Sequence, residues 1–201
     1  MTPITPLICA AARPNTIVVE SRALALEGLI ELRPRRALDE RGFFSEVWRD
    51  DWLAELGLDL RFVQDNHSHS ARRGVLRGLH FQAPPAGQDK LVRVPRGSIF
   101  DVAVDVRRNS PTFGQWAGIV LSGELWNQLF VPQGFAHGFV TLEDNTQVLY
   151  KASAMYSPAD ERSIRFDDPA LAIDWPVEPS AIIVSDKDRV APLLAEIEPG
   201  F

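Results

Sequence analysis

The sequence predicts an all-β domain, either a sandwich or a small barrel of short antiparallel strands. Many apolar runs of strand length are separated by turn signals at regular spacing. Residues 99–106 alternate cleanly, with phenylalanine and valines on one face and aspartates and alanine on the other. The 15 prolines, 11 phenylalanines and 5 tryptophans suit short strands and turns better than long helices. A parallel α/β sheet is not expected, because its strands would alternate with longer helical patterns.

The elements follow in order along the chain. Strands are predicted at 16–20, 24–32, 43–48, 62–68, 74–82, 90–94, 99–106, 115–121, 128–131, 137–142 and 147–152. A short helix is predicted at 50–58, because Asp50 or Asp51 can cap it and Gly57 can end it. Turns are predicted at 83–87, at 95–98 and at Asn145, and a second short helix at 190–195. Residues 1–15 are expected to be a loose extension, and residues 16–201 a single domain.

Composition excludes several classes of function. The 201 residues, 45% hydrophobic and 24% charged, fit one compact domain. A formal charge of −6 argues against general nucleic-acid binding, which needs a basic face. No apolar run is long enough to span a bilayer, so no membrane partner is expected. Cys9 has no partner for an internal disulfide, which indicates a reducing compartment and hence the cytoplasm.

The segment 74–82 is the most informative part of the chain, because it places His80 and Arg77 in an otherwise apolar strand. A half-buried imidazole can exchange protons near neutral pH, and an arginine can hold an anion without titrating. Strict alternation would send the two side chains to opposite faces, but Gly78 permits a bulge that re-aims one of them. On this segment alone, a core histidine beside a surface arginine is the alternative.

Three other polar clusters could carry chemistry. Gln64, Asn66 and Ser68 share one strand face and could read a polar ligand, unless that face is simply solvated. Tyr150 puts a phenol in a strand, where most tyrosines pack with the hydroxyl at the rim. The segment 185–188 has the composition of a charged loop, and it gains a functional meaning only if the fold brings it next to His80.

A tight turn delivers His137 into an apolar strand with the spacing P-x-G-x-x-H, from Pro132 through Gly134. This spacing is the second cupin motif and predicts a cupin-like jelly-roll barrel with a few short helices. In metal-binding cupins the first motif supplies a histidine pair and a glutamate. Here that region offers only His80, with Gln82 at the second position. We therefore expect no metal.

Short motifs recur in a fixed order over most of the chain. They are 41–46 (RGFFSE), 64–68 (QDNHS), 75–82 (VLRGLHFQ), 90–93 (KLVR), 100–105 (FDVAVD), 110–114 (SPTFG), 134–139 (GFAHGF), 150–151 (YK) and 186–188 (DKD). In this order they closely resemble the dTDP-4-dehydrorhamnose 3,5-epimerase family. The resemblance runs from about Arg41 to Pro192, and each motif is weak alone but strong in combination.

The resemblance implies a metal-free homodimer, without a cofactor, that epimerises a dTDP-linked 4-keto-6-deoxy sugar. It implies that His80 is the catalytic base, Asp188 its orienting carboxylate, Tyr150 the acid on the opposite sugar face and Lys90 the cation at the C4 oxygen. The residues that match nucleotide and diphosphate contacts, some of them shared across the dimer, are Arg41, Glu46, Gln64, Asn66, Arg77, His137, Glu161 and Lys187.

The implied chemistry explains these residue types. A C4 ketone acidifies the hydrogens on C3 and C5, and removal of either gives an enolate whose charge lies on O4. A neutral histidine oriented by a carboxylate is a suitable base, a cation near O4 stabilises the enolate, and inversion needs a donor on the opposite face. No glycine-rich dinucleotide motif is present, and none is needed. The alternatives are a mono-epimerase that inverts only C3 or only C5, and a jelly roll that binds sugar nucleotides without turnover.

Overall fold

Two antiparallel sheets face each other in a jelly-roll barrel, which confirms the predicted fold class. The computed structural model describes residues 19–201. The strands are β1 Val19–Ala23, β2 Ile30–Pro34, β3 Ala37–Asp39, β4 Gly42–Phe44, β5 Gln64–Ser70, β6 Leu76–Gln82, β7 Lys90–Arg96, β8 Ser98–Asp105, β9 Trp116–Ser122, β10 Gln128–Val131, β11 Phe135–Thr141, β12 Thr146–Ala152 and β13 Glu161–Ser163. The helices are α1 Asp51–Glu55 and α2 Asp186–Arg189, with 3₁₀ turns at Pro179–Ala181 and Leu194–Glu196. The predicted extension 1–15, Cys9 and the start of the strand predicted at 16–20 lie outside the described residues.

One sheet has six strands in the order β1-β2-β10-β7-β12-β5, and the other has five in the order β13-β6-β11-β8-β9. The strands β3 and β4 form a separate hairpin. The core between the sheets takes side chains from both, including Val92, Leu129 and Val148 of the first and Ala103 and Phe139 of the second. No helix among residues 19–201 is both long enough and apolar enough to cross a membrane.

The outer faces of the two sheets are also covered. Leu53 of α1 packs with Leu91 and Phe130 on the six-stranded sheet. The C-terminal segment 164–201, here called the tail, packs Ile164, Leu171 and Leu194 on the five-stranded sheet. The predicted alternation in β8 is confirmed, since its valines lie under the tail and Ala103 faces the other sheet. Asp101, two positions from Ala103, therefore also points into the barrel.

Several predicted elements differ from the observed ones. The predicted strand 24–32 is a turn followed by β2, because Gly28 adopts φ +96° and the Leu24 N–H donates to the Leu29 carbonyl at 2.9 Å. The predicted strand 43–48 pairs only to Phe44. In the predicted turn 95–98, β7 continues to Arg96 and Gly97 makes the turn with φ +79°.

The helix predictions also need correction. The helix predicted at 50–58 is only α1, and the Asp50 side chain makes no capping hydrogen bond. The helix predicted at 190–195 was wrong, because Pro192 has no backbone N–H to donate and disfavours helical geometry at the residue before it. The tail instead forms α2, before this proline, and a 3₁₀ turn after it.

The predicted bulge at Gly78 is confirmed. His137 of β11 pairs with His80 of β6, but Phe139, two residues on, pairs with Arg77, three residues back. Gly78 adopts φ +129°, and a Cβ there would lie 2.5 Å from the Gly138 Cα. The bulge places both Arg77 and His80 on the wall of one cavity.

The tail is fixed to the five-stranded sheet by hydrogen bonds as well as by apolar contacts. Val75 forms a parallel bridge with Ile183. The buried Asp168 accepts from the backbone N–H groups of Ala170 and Leu194, at 2.8 and 2.7 Å. These contacts bring α2 alongside β6.

The bulge gives the first testable prediction. Gly78→Ala combines backbone strain with a clash against Gly138, so we expect a loss of about 3 kcal/mol in the free energy of unfolding. Gly57→Ala is the matched control, because Gly57 also has a positive φ but nothing lies within 4 Å of its added Cβ. It should lose about 1 kcal/mol. Urea denaturation of both variants checks this, and equal losses would contradict the close approach of β6 to β11.

Candidate active site

A cavity of about 570 Å³ lies between the two sheets and is closed on one side by the tail. Strands of both sheets and the loop leading into α2 contribute to its wall. Of the residues predicted from the sequence, the cavity wall contains Arg77, His80, Lys90, His137, Tyr150, Glu161, Lys187 and Asp188. The fold therefore gathers residues that are more than a hundred positions apart in the chain.

His80 and Asp188 form a hydrogen-bonded pair. Nε2 of His80 lies 2.6 Å from Oδ1 of Asp188. A carboxylate can only accept, so a neutral His80 carries its hydrogen on Nε2 and leaves Nδ1 free to accept a proton. The charged loop 185–188 thus meets the condition that would give it a functional meaning, because the tail brings it next to His80.

Asp188 is held in place by its own turn. Burial alone would raise its pKa, but the hydrogen bond to His80, together with donors from Ser185 and Gly78, holds that pKa below its ordinary value. Ser185 caps α2, and its hydroxyl accepts from the Asp188 N–H at 3.1 Å. The carboxylate therefore stays ionised at neutral pH and can stabilise an imidazolium on His80.

Tyr150 lines the cavity from the opposite wall. It lies on β12 of the six-stranded sheet, whereas His80 lies on β6 of the five-stranded sheet. Burial raises the pKa of the Tyr150 phenol, and the positive charge of Arg77 opposes that shift. The phenol is protonated at neutral pH, so it can donate a proton into the cavity from the side that faces His80.

Lys90 is a buried cation at the start of β7. Its Nζ donates to the backbone carbonyl of His80 at 3.3 Å, and its side chain is almost fully buried. Burial lowers the pKa of Lys90 to about 8, against the attraction of Asp101 and Glu161. Lys90 is therefore mostly charged at pH 7, in a site where a positive charge acts more strongly than it would in water.

A second polar cluster surrounds Glu161 on β13, in the five-stranded sheet. Lys187 donates to Glu161 at 2.6 Å, and the Tyr156 hydroxyl donates to the same oxygen at 3.0 Å. Burial raises the pKa of Glu161, but these two donors bring it below its ordinary value. Arg77 lines the cavity and is exposed. Arg77 and Lys187 thus provide positive charge for an anionic ligand.

His137 is paired with a second buried carboxylate. Its Nε2 lies 2.9 Å from Oδ1 of Asp101, on the neighbouring strand β8. Asp101 is fully buried, and its Oδ2 has no hydrogen-bond partner among the described residues. The cavity wall therefore contains His80 and His137, each paired with an aspartate, and only the His80 pair was expected.

Four of the predicted site residues do not line the cavity. Gln64 and Asn66 lie on β5, where the Gln64 amide donates to Asn66 Oδ1 at 3.0 Å. Arg41 lies at the tip of the β3–β4 hairpin, paired with Asp39 at 2.5 Å and 84% exposed. Glu46 follows that hairpin and pairs with Arg49 at 3.4 Å.

Sequence reasoning missed Tyr156 and Phe139, which also line the cavity. Tyr156 lies in the irregular segment after β12, where no periodic pattern exists to place it. Phe139 follows His137 in strict alternation on β11, and that spacing could have identified it.

Gln82 takes the place of the second metal-binding histidine, and its amide is fully used. It donates to the carbonyls of Ala86 and Met155, at 2.7 and 3.2 Å, and it accepts from the Ser157 N–H at 2.8 Å. Within residues 19–201, no group of three or more His, Cys, Asp or Glu side chains is arranged to hold a metal ion. Gln82 ties β6 to the loops on either side of the cavity.

The pKa of Lys90 gives a prediction for stability. Between about pH 8 and 10.5 the unfolded chain binds this proton and the folded chain has released it, so stability rises with pH in that window. Below pH 8 the buried charge costs about 3 kcal/mol. Lys90→Met should therefore be about 2 kcal/mol more stable than the natural protein at pH 7, with the difference narrowing towards pH 10.

Urea denaturation at pH 7 and at about pH 10 tests this prediction. Lys151→Met is the control, because Lys151 pairs with the exposed Asp65 and should contribute less than about 1 kcal/mol at either pH. If Lys90→Met is less stable than the natural protein at pH 7 and the difference does not change with pH, the buried charge of Lys90 does not destabilise the folded protein.

Comparison with known proteins identifies the family. The family model described as dTDP-4-dehydrorhamnose 3,5-epimerase matches residues 23–196. The dTDP-4-dehydrorhamnose 3,5-epimerase of Salmonella typhimurium is 51% identical over 171 residues, which cover 85% of this chain and 92% of that one. A Legionella pneumophila 3,5-epimerase, solved in complex with dTDP-4-keto-L-rhamnose, superposes with a TM-score of 0.86 at 46% identity over 90% of this chain and 95% of that one.

A 3'-monoepimerase from Streptomyces bikiniensis, solved in complex with dTDP-quinovose, is also similar. Its TM-score is 0.79 at 36% identity, and 86% of each chain is covered. The resemblance predicted from the ordered motifs is thus confirmed over nearly the whole of the described chain. On these matches, the chain belongs to the dTDP-4-dehydrorhamnose 3,5-epimerase family of isomerases.

Proposed function

We propose that this chain epimerises dTDP-4-keto-6-deoxy-glucose at C3 and C5, through enolate intermediates, to give dTDP-4-keto-L-rhamnose in dTDP-rhamnose biosynthesis. The observation that supports this function best is the opposition of two proton-transfer groups across one cavity. His80, paired with Asp188 of the tail, lies on one sheet, and Tyr150 lies on the facing sheet. A sugar ring between the sheets would present one face to the base and the other to the acid.

The stereochemistry of the substrate agrees with a single base. In the chair of a D-gluco sugar, the hydrogens on C3 and C5 are both axial and point to the same face of the ring. One imidazole on that face can remove either hydrogen after a small shift of the ring. His80 is the base, and Asp188 stabilises the imidazolium that forms. Such a base contributes roughly 10²–10⁴-fold to the rate.

Enolate formation places negative charge on O4. Lys90 is the buried cation available to stabilise it, and one well-placed donor of this kind is worth about 3 kcal/mol. Its burial is useful here, because an ammonium with little water around it interacts strongly with a developing charge.

Inversion requires that the new proton arrive on the face opposite to the base. Tyr150 fills that role because its raised pKa keeps the phenol protonated until the enolate forms. A return of the proton from His80 would regenerate the substrate. Enolate formation by His80 and inversion by Tyr150 are therefore separable steps.

The nucleotide and diphosphate need positive charge and polar contacts beyond the sugar. Arg77, Lys187 and His137 line the cavity wall and are the proposed diphosphate contacts, and Glu161 holds Lys187. Gln64 and Asn66 are proposed nucleotide contacts on the adjacent strand. Arg41 and Glu46 lie on or beside the β3–β4 hairpin, away from the cavity of their own chain.

This separation supports the proposal that the protein is a homodimer in which Arg41 and Glu46 reach the nucleotide bound by the partner subunit. The β3–β4 hairpin exposes Leu38 and Phe44, at 77% and 70%. Apolar side chains at such exposures are typical of a surface that is covered in an assembly.

The remaining aspects of the proposal follow from the family chemistry. Proton transfer at carbons beside a ketone needs no redox cofactor or metal, so none is assigned. We place the enzyme in the cytoplasm, with residues 16–201 as a single catalytic domain and without a nucleic-acid or membrane partner. The mono-epimerase alternative keeps the same base, and the similarity to the 3'-monoepimerase gives it specific support. The binding-module alternative has no use for an opposed acid and base.

Solvent labelling tests the function directly. When the enzyme is incubated with dTDP-4-keto-6-deoxy-glucose in D₂O, deuterium should enter both C3 and C5, as followed by proton NMR. Label at one carbon only would show a mono-epimerase. Binding of the nucleotide sugar without any label would show a binding module.

Two variants test the roles of the proton-transfer groups. His80→Ala should lose both solvent exchange and epimerisation by at least about 10²-fold. Tyr150→Phe should lose product formation far more than it loses exchange at the first carbon, because His80 can still form the enolate. Tyr156→Phe is the control, because it removes the other phenol on the cavity wall. Its ratio of epimerised product to solvent exchange should equal that of the natural protein. If Tyr150→Phe epimerises as fast as the natural protein, Tyr150 has a structural role and is not the acid.

A further inference from the structure

Asp101 is a buried carboxylate to which neither the family motifs nor the proposed mechanism assigns a role. It points into the barrel from β8, with an exposure of 0%. Oδ1 accepts from His137 Nε2 at 2.9 Å, and Oδ2 has no hydrogen-bond partner in residues 19–201. A buried ionised group with one of its oxygens unpaired is costly unless positive charge lies close to it.

Positive charge is available on the facing sheet. Lys90 is the buried cation of the cavity, and the attraction of Asp101 is the largest influence that opposes the lowering of its pKa by burial. The two residues lie on different sheets, β7 and β8, so the barrel brings together a carboxylate and an ammonium that are both withdrawn from water. Each lowers the free-energy cost of the other's charge.

We propose that Asp101 is a positioning residue that acts through Lys90 and His137, keeping the lysine protonated beside the sugar O4 and fixing the tautomer of the histidine. This inference rests on the proposed function, because the task of Lys90 at O4 belongs to it. Asp101 accepts from Nε2, so a neutral His137 leaves Nδ1 as its free acceptor. Asp101 is thus the negative charge that balances Lys90, and it makes no contact with the substrate.

The proposal predicts a change in pH dependence. Lys90 must be charged to stabilise the enolate, and its pKa of about 8 places the alkaline limit of activity near that pH. Loss of the Asp101 charge would lower the pKa of Lys90 by about one unit. At pH 8 the charged fraction would then fall from about one half to about one tenth. The kcat/KM at pH 8, relative to that at about pH 6.5, would fall about fourfold.

Other charged groups face Lys90 and would remain in such a variant. They line the same cavity from β6, β11, β12, the segment after β12, β13 and the tail, and they are Arg77, His80, His137, Tyr150, Tyr156, Glu161, Lys187 and Asp188. Of these, Glu161 also raises the pKa of Lys90, but less than Asp101 does. Asp101→Asn should therefore shift the pKa of Lys90 more than Glu161→Gln.

The sequence makes a direct measurement practical, because its only lysines are Lys90, Lys151 and Lys187. NMR titration of protein labelled with ¹³C at the lysine ε-carbon gives one signal for each, assigned with Lys151→Arg and Lys187→Arg. In Asp101→Asn the midpoint of Lys90 should fall by about one unit. Asp65→Asn is the control, since it removes the exposed partner of Lys151 and should leave Lys90 unchanged.

The activity profile is the second readout. In Asp101→Asn the alkaline limb of kcat/KM should move to lower pH while the acidic limb stays in place. A uniform loss of activity at every pH, with the Lys90 midpoint unchanged, would overturn the proposal and leave Asp101 as a structural residue. The NMR titration does not depend on turnover. If Asp101→Asn shifts the Lys90 midpoint but the natural protein itself does not epimerise, the proposed function is overturned and the coupling between Asp101 and Lys90 is retained.

A third measurement applies if near-ultraviolet circular dichroism shows that Asp101→Asn does not fold. The side-chain carboxyl ¹³C signal of Asp101 in the natural protein, assigned through its own backbone, reports its ionisation between pH 6 and 9. If Asp101 is ionised over this range, the result supports its role as the negative charge that balances Lys90. A protonated Asp101 would overturn it.

Discussion

The hydrogen bond between His80 and Asp188 is the contact on which the site depends, because it joins a strand of the five-stranded sheet to a helix of the tail. His80 lies on a strand that is paired on both sides, and Asp188 lies in a four-residue helix of the tail. The tail covers apolar side chains of the five-stranded sheet, and this packing sets the position of Asp188. The orientation of the His80 imidazole is therefore coupled to the packing of the tail on the outer face of the five-stranded sheet.

The two-sheet architecture supplies the second requirement. A jelly roll encloses a cavity whose opposite walls come from different sheets, and side chains that alternate along each strand point into it. Inversion at a carbon centre needs groups on both faces of a ring, and facing sheets meet that need without a mobile element. The bulge at Gly78 adds Arg77 to the wall that already holds His80. A local irregularity in one strand thus places a cationic side chain on the same wall of the cavity as His80.

Much of this arrangement could be predicted from the sequence. The period-2 pattern of β8, the bulge at Gly78 and the delivery of His137 by its tight turn were all readable locally. The meeting of Asp188 with His80 was not, because it depends on how the tail packs across the sheet. Only the ordered family motifs indicated that pairing in advance. The helix predicted at 190–195 failed for a local reason, since Pro192 interrupts it, and Tyr156 was missed because its irregular segment has no period.

The claim at the centre of this account is that a sugar ring lies between His80 and Tyr150, with one group on each face. A crystal structure of the protein with dTDP-glucose, which lacks the C4 ketone and cannot be turned over, tests it most directly. The account predicts the His80 imidazole within about 3.5 Å of C3 or C5 and the Tyr150 hydroxyl on the opposite face of the ring. A ring with both groups on the same face, or a sugar bound outside the barrel, would contradict it.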